Sequence, residues 1–155
     1  MRSLTTEGDT MFEQAYGRLV CFADGQREII AMQWKQGATC AIHDHGATAS
    51  GRVHLVVGAL VEERFDFDGQ GLLHTTTLHH AAPCTIEVPP GLIHRMTASP
   101  DAALTLSIHH YEPCIASMRI YDPEARRTVI VPDDCGAWIP EDEAAIVAIE
   151  PWSAR

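Results

Sequence analysis

The sequence predicts an all-β sandwich or barrel, and three observations predict it. Short apolar and β-branched runs recur along the chain, turn-forming residues separate them, and helix-forming patterns are confined to the two ends. In order, the runs are GRLVCF, EIIAMQW, ATCAIH, RVHLVV, ALVEERFDF, LLHTTTLHH, CTIEV, LTLSIHHY and SMRIYD. Asp24-Gly25 divides the first two, and Asp68-Gly69 divides ALVEERFDF from LLHTTTLHH. CTIEV stops at Pro89-Pro90-Gly91, and Ser99-Pro100-Asp101 precedes LTLSIHHY. Helical signals lie around TTEGDTMFEQAY and in PEDEAAIVAI, so short helical segments are expected at the termini. The 155 residues suit one domain, 1–155, with residues 1–15 as a lead-in and 132–155 as a tail that either wraps the barrel or stays free of it.

Composition narrows the function classes. A hydrophobic content of 46% with 21% charged residues describes a globular protein. The formal net charge of −10 argues against general nucleic-acid or anionic-membrane binding, both of which need clustered Lys and Arg. No apolar run approaches a membrane span, and MRSLTTEGDTMFEQ has no apolar leader core, so a cytoplasmic protein is expected. The five cysteines are scattered and form no C-x-x-C, which reads as reduced thiols. The unusual count is nine histidines.

His43 and His45 are two apart on a strand-like run, so both face one side while Asp44 points to the other. Such a pair is often incidental, but its context here is not. Gly37 precedes His43 by six residues, and Pro89-x-Gly91-x-x-His94 follows well downstream. Together they resemble the two halves of the cupin signature, which implies a single jelly-roll β-barrel with His43, His45 and His94 as metal ligands. The residues after His45 (Gly46, Ala47, Thr48, Ala49, Ser50, Gly51) supply no carboxylate. Three neutral imidazoles suit iron, copper, nickel or zinc and leave a divalent ion its full charge. Such a centre favours a substrate that brings its own anionic donor, and a thiolate is the natural one because metal binding deprotonates a thiol.

LSIHHY places Ser107, His109 and Tyr111 on one strand face. Alone this is a polar core row; beside a metal it reads as a relay that aims a phenol at bound ligand.

IHDH, LIHR and SIHHY followed by proline resemble the cysteine dioxygenase family of thiol dioxygenases over about Tyr16 to Asp122. The resemblance implies Fe(II) held by His43, His45 and His94, with Ser107, His109 and Tyr111 as the catalytic row beside it. The segment YGR matches that family's Tyr-x-Arg, which makes Arg18, with Tyr16, the holder of a substrate carboxylate. Gly51 stands where animal members carry the cysteine that cross-links to the tyrosine, so the bacterial type without a thioether is implied. Cys40 is read as packing, and Arg95 as facing away from its neighbour His94.

The implied activity is oxidation of a small carboxylate-bearing thiol, L-cysteine first, to its sulfinic acid with O2. The resemblance leaves 3-mercaptopropionate or mercaptosuccinate as rival substrates, although the mercaptopropionate enzymes carry glutamine where Arg18 stands. A zinc or nickel cupin acting as a binding or sensory module is the rival of another class.

Overall fold

A computed structural model describes residues 14–154. The expected all-β barrel is observed. Its strands are β1 (Tyr16–Ala23), β2 (Glu28–Trp34), β3 (Ile42–Asp44), β4 (Ser50–Val57), β5 (Ala59–Phe67), β6 (Leu72–Ala81), β7 (Cys84–Val88), β8 (Ile93–Ala98), β9 (Thr105–Glu112), β10 (Ser117–Asp122), β11 (Arg127–Pro132) and β12 (Ala148–Pro151). They form two sheets, of strand order β1-β2-β9-β4-β7 and β12-β11-β10-β3-β8-β5-β6, joined throughout by antiparallel pairs.

The pleat decides what faces inward. In β2, Glu28, Ile30, Met32 and Trp34 are buried while Ile29, Ala31 and Gln33 are half-buried. In β9 the buried set is Thr105, Ser107, His109 and Tyr111, and in β8 it is His94, Met96 and Ala98. Much of the remaining core is aliphatic: Val53, Leu55, Leu60, Ile86, Val88, Ile120, Val129 and Val131 are at most 2% exposed. Each such side chain contributes roughly 1.5–3 kcal/mol by leaving water. The polar row of β9 and His94 of β8 therefore sit inside a largely apolar barrel, together with the buried carboxylates Glu28, Asp44 and Glu62.

Three strands, β8, β11 and β12, fall outside the runs singled out in the sequence. The helical expectation at the C-terminal end narrows to one 3-10 turn, Glu143–Ala145, capped by the Asp142 side chain accepting from the Ala144 amide. After it the apolar residues of AIVAI extend into β12, which pairs with β11. Trp152 continues the tail, donating its indole N–H to Thr128 Oγ1 (2.9 Å) and packing on Phe67 with ring centroids 5.1 Å apart. The N-terminal helical expectation covers 5–16 and lies outside the described residues up to 13, while Tyr16 itself begins β1. Among the described residues no helix is long and apolar enough to cross a membrane.

Candidate metal centre

The antiparallel register of β3 and β8 sets His43 opposite His94, and His45 follows immediately after β3. Gly91 makes this approach feasible: its φ of +72° is left-handed backbone that a side chain would strain, and it lies in the turn that leads into β8. All three histidines are buried, and one ring nitrogen from each lies within 4.8 Å of the others. Ring centroids are 4.8 Å apart for His43–His45 and His43–His94, and 5.4 Å for His45–His94.

The hydrogen bonds leave donor atoms to spare. His43 Nδ1 donates to the Ala41 carbonyl (2.9 Å), which turns Nε2 into the free acceptor. His45 Nδ1 and His94 Nε2 are buried without a hydrogen-bond partner among the described residues. Burial, reinforced by the neighbouring rings, holds His43 neutral down to about pH 3 and keeps His45 well below the usual imidazole range. Clustered, neutral, lone-pair-bearing imidazoles with orphaned nitrogens are what a transition-metal ion requires. The residues present therefore fit a metal.

The Ser107, His109 and Tyr111 row adjoins them, as the strand spacing implied. Trp34 Nε1 donates to Ser107 Oγ (2.9 Å), and Ser107 Oγ lies 2.8 Å from His109 Nε2. His109 Nδ1 is 3.1 Å from the Tyr111 hydroxyl, which is 3.3 Å from His45 Nε2. An indole N–H can only donate, so Ser107 accepts from Trp34 and keeps its own O–H available for His109 Nε2. His109 thus bridges Ser107 and the phenol, and the phenol oxygen lies between His109 Nδ1 and His45 Nε2. Burial drives the His109 pKa down to about 3 and pushes the Tyr111 phenol far above its usual range, so both stay neutral.

A small cavity of about 30 Å³ lies among these groups, lined also by Met32, Met96, Met118 and Ile115. Arg18 and Tyr16 line it too. One Arg18 nitrogen, Nη1, donates to the Asp134 carbonyl (2.8 Å). Tyr16 is buried, accepts from the Ala137 amide through its hydroxyl (2.7 Å), and packs on Trp34 with centroids 4.8 Å apart.

The expectation for Asp44 needs refining. Asp44 does face away from the histidines, but it is buried rather than solvated, accepting from Tyr121 Oη (2.7 Å) and the Gly46 amide (2.8 Å). Tyr121 in turn packs on Phe67, whose ring meets Trp152 of the tail. Cys40 packs in the core with Sγ 3.9 Å from His43 Nδ1, and burial pushes its thiol up to about 11, so it stays protonated beside the cluster. Arg95 faces away from the cluster, as expected, and pairs with Glu63.

Sequence reasoning missed Glu62 and Trp34. Glu62 is completely buried on β5 and accepts from His94 Nδ1 (2.9 Å), His80 Nε2 (3.0 Å) and Arg64 Nη2 (3.1 Å). Its signal was its phase with Leu60 and Arg64, but Val61, Glu63 and Phe65 alternate equally well, and only pairing with β8 tells the faces apart.

No known family model matches the chain. Solved structures do resemble it. A conserved protein with a double-stranded β-helix domain from Klebsiella pneumoniae aligns with TM-score 0.55 and 16% identity, over 77% of this chain and 97% of that one. An RmlC-like cupin from Shewanella frigidimarina aligns with TM-score 0.51 and 16% identity, over 72% and 92%. KdgF from Halomonas sp. aligns with TM-score 0.51 and 17% identity, over 66% and 83%. At such identities the likeness speaks for architecture, and with the two-sheet barrel it establishes that this chain has the cupin, or double-stranded β-helix, fold.

Proposed function

We propose that the protein is a thiol dioxygenase that converts a small carboxylate-bearing thiol, L-cysteine foremost, to its sulfinic acid, both atoms of O2 ending on sulfur. The observation that carries this reading is Arg18 sharing one small cavity with the three histidines and Tyr111. Fe(II) held by His43, His45 and His94 would supply the thiolate-binding and O2-reducing chemistry. The chain's own side chains do the rest. Arg18 spends one of five N–H donors on Asp134 O, and those remaining suit a carboxylate through charge-assisted hydrogen bonds. Tyr111, oriented by His109 and through it by Ser107 and Trp34, presents its hydroxyl beside His45 to hydrogen-bond the bound ligand. Met32, Met96, Met118 and Ile115 give the cavity a largely apolar wall on the side away from Arg18.

The five cysteines are free thiols, which agrees with a reducing compartment, and we place the protein in the cytoplasm. The test is O2 uptake by the iron-loaded protein with cysteine, cysteamine, 3-mercaptopropionate and mercaptosuccinate, with the product identified by mass. Cysteine should give the fastest uptake and cysteine sulfinate the product. An iron-loaded protein that consumes no O2 with any of these thiols is a binding module instead.

A further inference from the structure

Glu62 is a fully buried carboxylate that the proposed chemistry leaves unused. Three N–H donors surround it. His94 Nδ1 meets Oε1, while His80 Nε2 and Arg64 Nη2 both meet Oε2. An isolated carboxylate so placed would take up a proton to escape the cost of burial. Here three N–H donors satisfy it, one of them from a permanently charged guanidinium, and such charge-assisted contacts favour the ionised carboxylate. The contact also fixes the neighbouring ring: with Nδ1–H committed to Glu62, the unpartnered Nε2 of His94 carries the lone pair.

We infer that Glu62 completes the metal centre at one remove, locking His94 by its Nδ1–H and lending negative charge to an ion that three neutral imidazoles bind. Glu62 is thus a positioning residue. The inference rests on the three-histidine metal reading but not on which thiol is oxidised. It also revises the charge argument from sequence. No carboxylate follows His45, yet one reaches the site from β5 through a ligand ring. A carboxylate–histidine pair of this kind raises the ring's donor strength and holds its tautomer.

Co(II) and azide serve as probes. Glu62→Gln keeps the side-chain shape and removes the charge. Co(II) affinity should fall roughly 10- to 100-fold. Azide should at the same time bind the Co(II)-loaded variant severalfold more tightly than the native protein, because the centre has become more positive. A merely structural role would loosen Co(II) without tightening azide. His80→Gln, which leaves the Glu62–His94 contact in place, should hold Co(II) within about threefold of native, well short of a lost ligand partner.

Native-like Co(II) and azide affinities for Glu62→Gln overturn the inference, as does an equal Co(II) loss in His80→Gln. Should Glu62→Gln fail to fold, nitrogen-15 histidine spectra of the native Zn(II)-loaded protein decide the matter. His94 must be protonated at Nδ1 and coordinated through Nε2, and the opposite arrangement overturns the inference. A native protein that binds neither Co(II) nor Zn(II) would overturn the metal reading itself, an outcome distinct from a Glu62→Gln variant indistinguishable from native.

Discussion

Gly51 and Tyr111 are direct cross-strand partners on β4 and β9, and the phenol ring occupies the space where any larger residue at 51 would put its β-carbon. The glycine thus does two things. It leaves no side chain to cross-link with the phenol, and it lets the ring lie flat enough to reach His45. Gly51→Ala would drive its new carbon into the ring edge and to 2.9 Å from the His110 carbonyl. Overpacking of this kind costs about 1–3 kcal/mol. The variant should melt lower and lose turnover while the histidines still bind metal. Native-like melting and rate would show that the strand pair has slack that the register does not suggest.

Tyr111→Phe removes the phenol and leaves His109 Nδ1 without its partner, and a buried polar group that loses its partner costs about 1–3 kcal/mol. Metal content should not change, because the three histidines are untouched. Turnover should drop roughly 10-fold or more, the worth of a hydrogen bond to a charged ligand. Thiol oxidation at the normal rate would end the relay reading.

Arg18→Gln separates substrate recognition from scaffolding. The loss of a charge-assisted hydrogen bond, about 1.5–3 kcal/mol, should lower kcat/KM for cysteine roughly 10- to 150-fold. Cysteamine lacks the carboxylate, so it should be a poor substrate for the native protein and nearly indifferent to the change. Equal losses for the two thiols would assign Arg18 to the fold through its bond to Asp134 O.

The metal-free protein should be acid-sensitive. Burial, reinforced by the neighbouring rings, lowers His43 and His109 from 6.5 to about 3, so between those values the unfolded chain binds protons that the folded one refuses. Stability is then full above pH 6.5 and declines as pH falls towards 3. From pH 7 to pH 5 the loss is about 2 kcal/mol for each histidine. Urea midpoints of the metal-free protein at the two pH values measure it, and His109→Gln should reduce the difference. A midpoint unchanged between pH 7 and pH 5 would contradict the assignment of neutral buried rings.

Much of the site was legible because the strand pleat is a local rule. Side chains two apart share a face whatever the rest of the chain does, so the pairing of His43 with His45 and the row Ser107, His109 and Tyr111 followed from spacing alone. The turn at Pro89-Pro90-Gly91 was equally local. What joined these pieces was register, which is not local. The β3–β8 ladder places His43 against His94, and β2 beside β9 gives Ser107 its Trp34 donor. The β5–β8 pairing brings Glu62 within reach of His94 from the next strand.

The C-terminal segment shows the same division. AIVAI has a composition that serves a helix or a strand, and the open edge of β11 decided for the strand by offering its unpaired backbone groups to 148–151. By itself the sequence determined the barrel class, the inward-facing periodicity and which residues carry metal-binding chemistry. Only the tertiary structure decided which of them meet, and that a buried carboxylate stands behind one of them. Contacts between distant strands depend on the packing of the whole barrel rather than on any one segment.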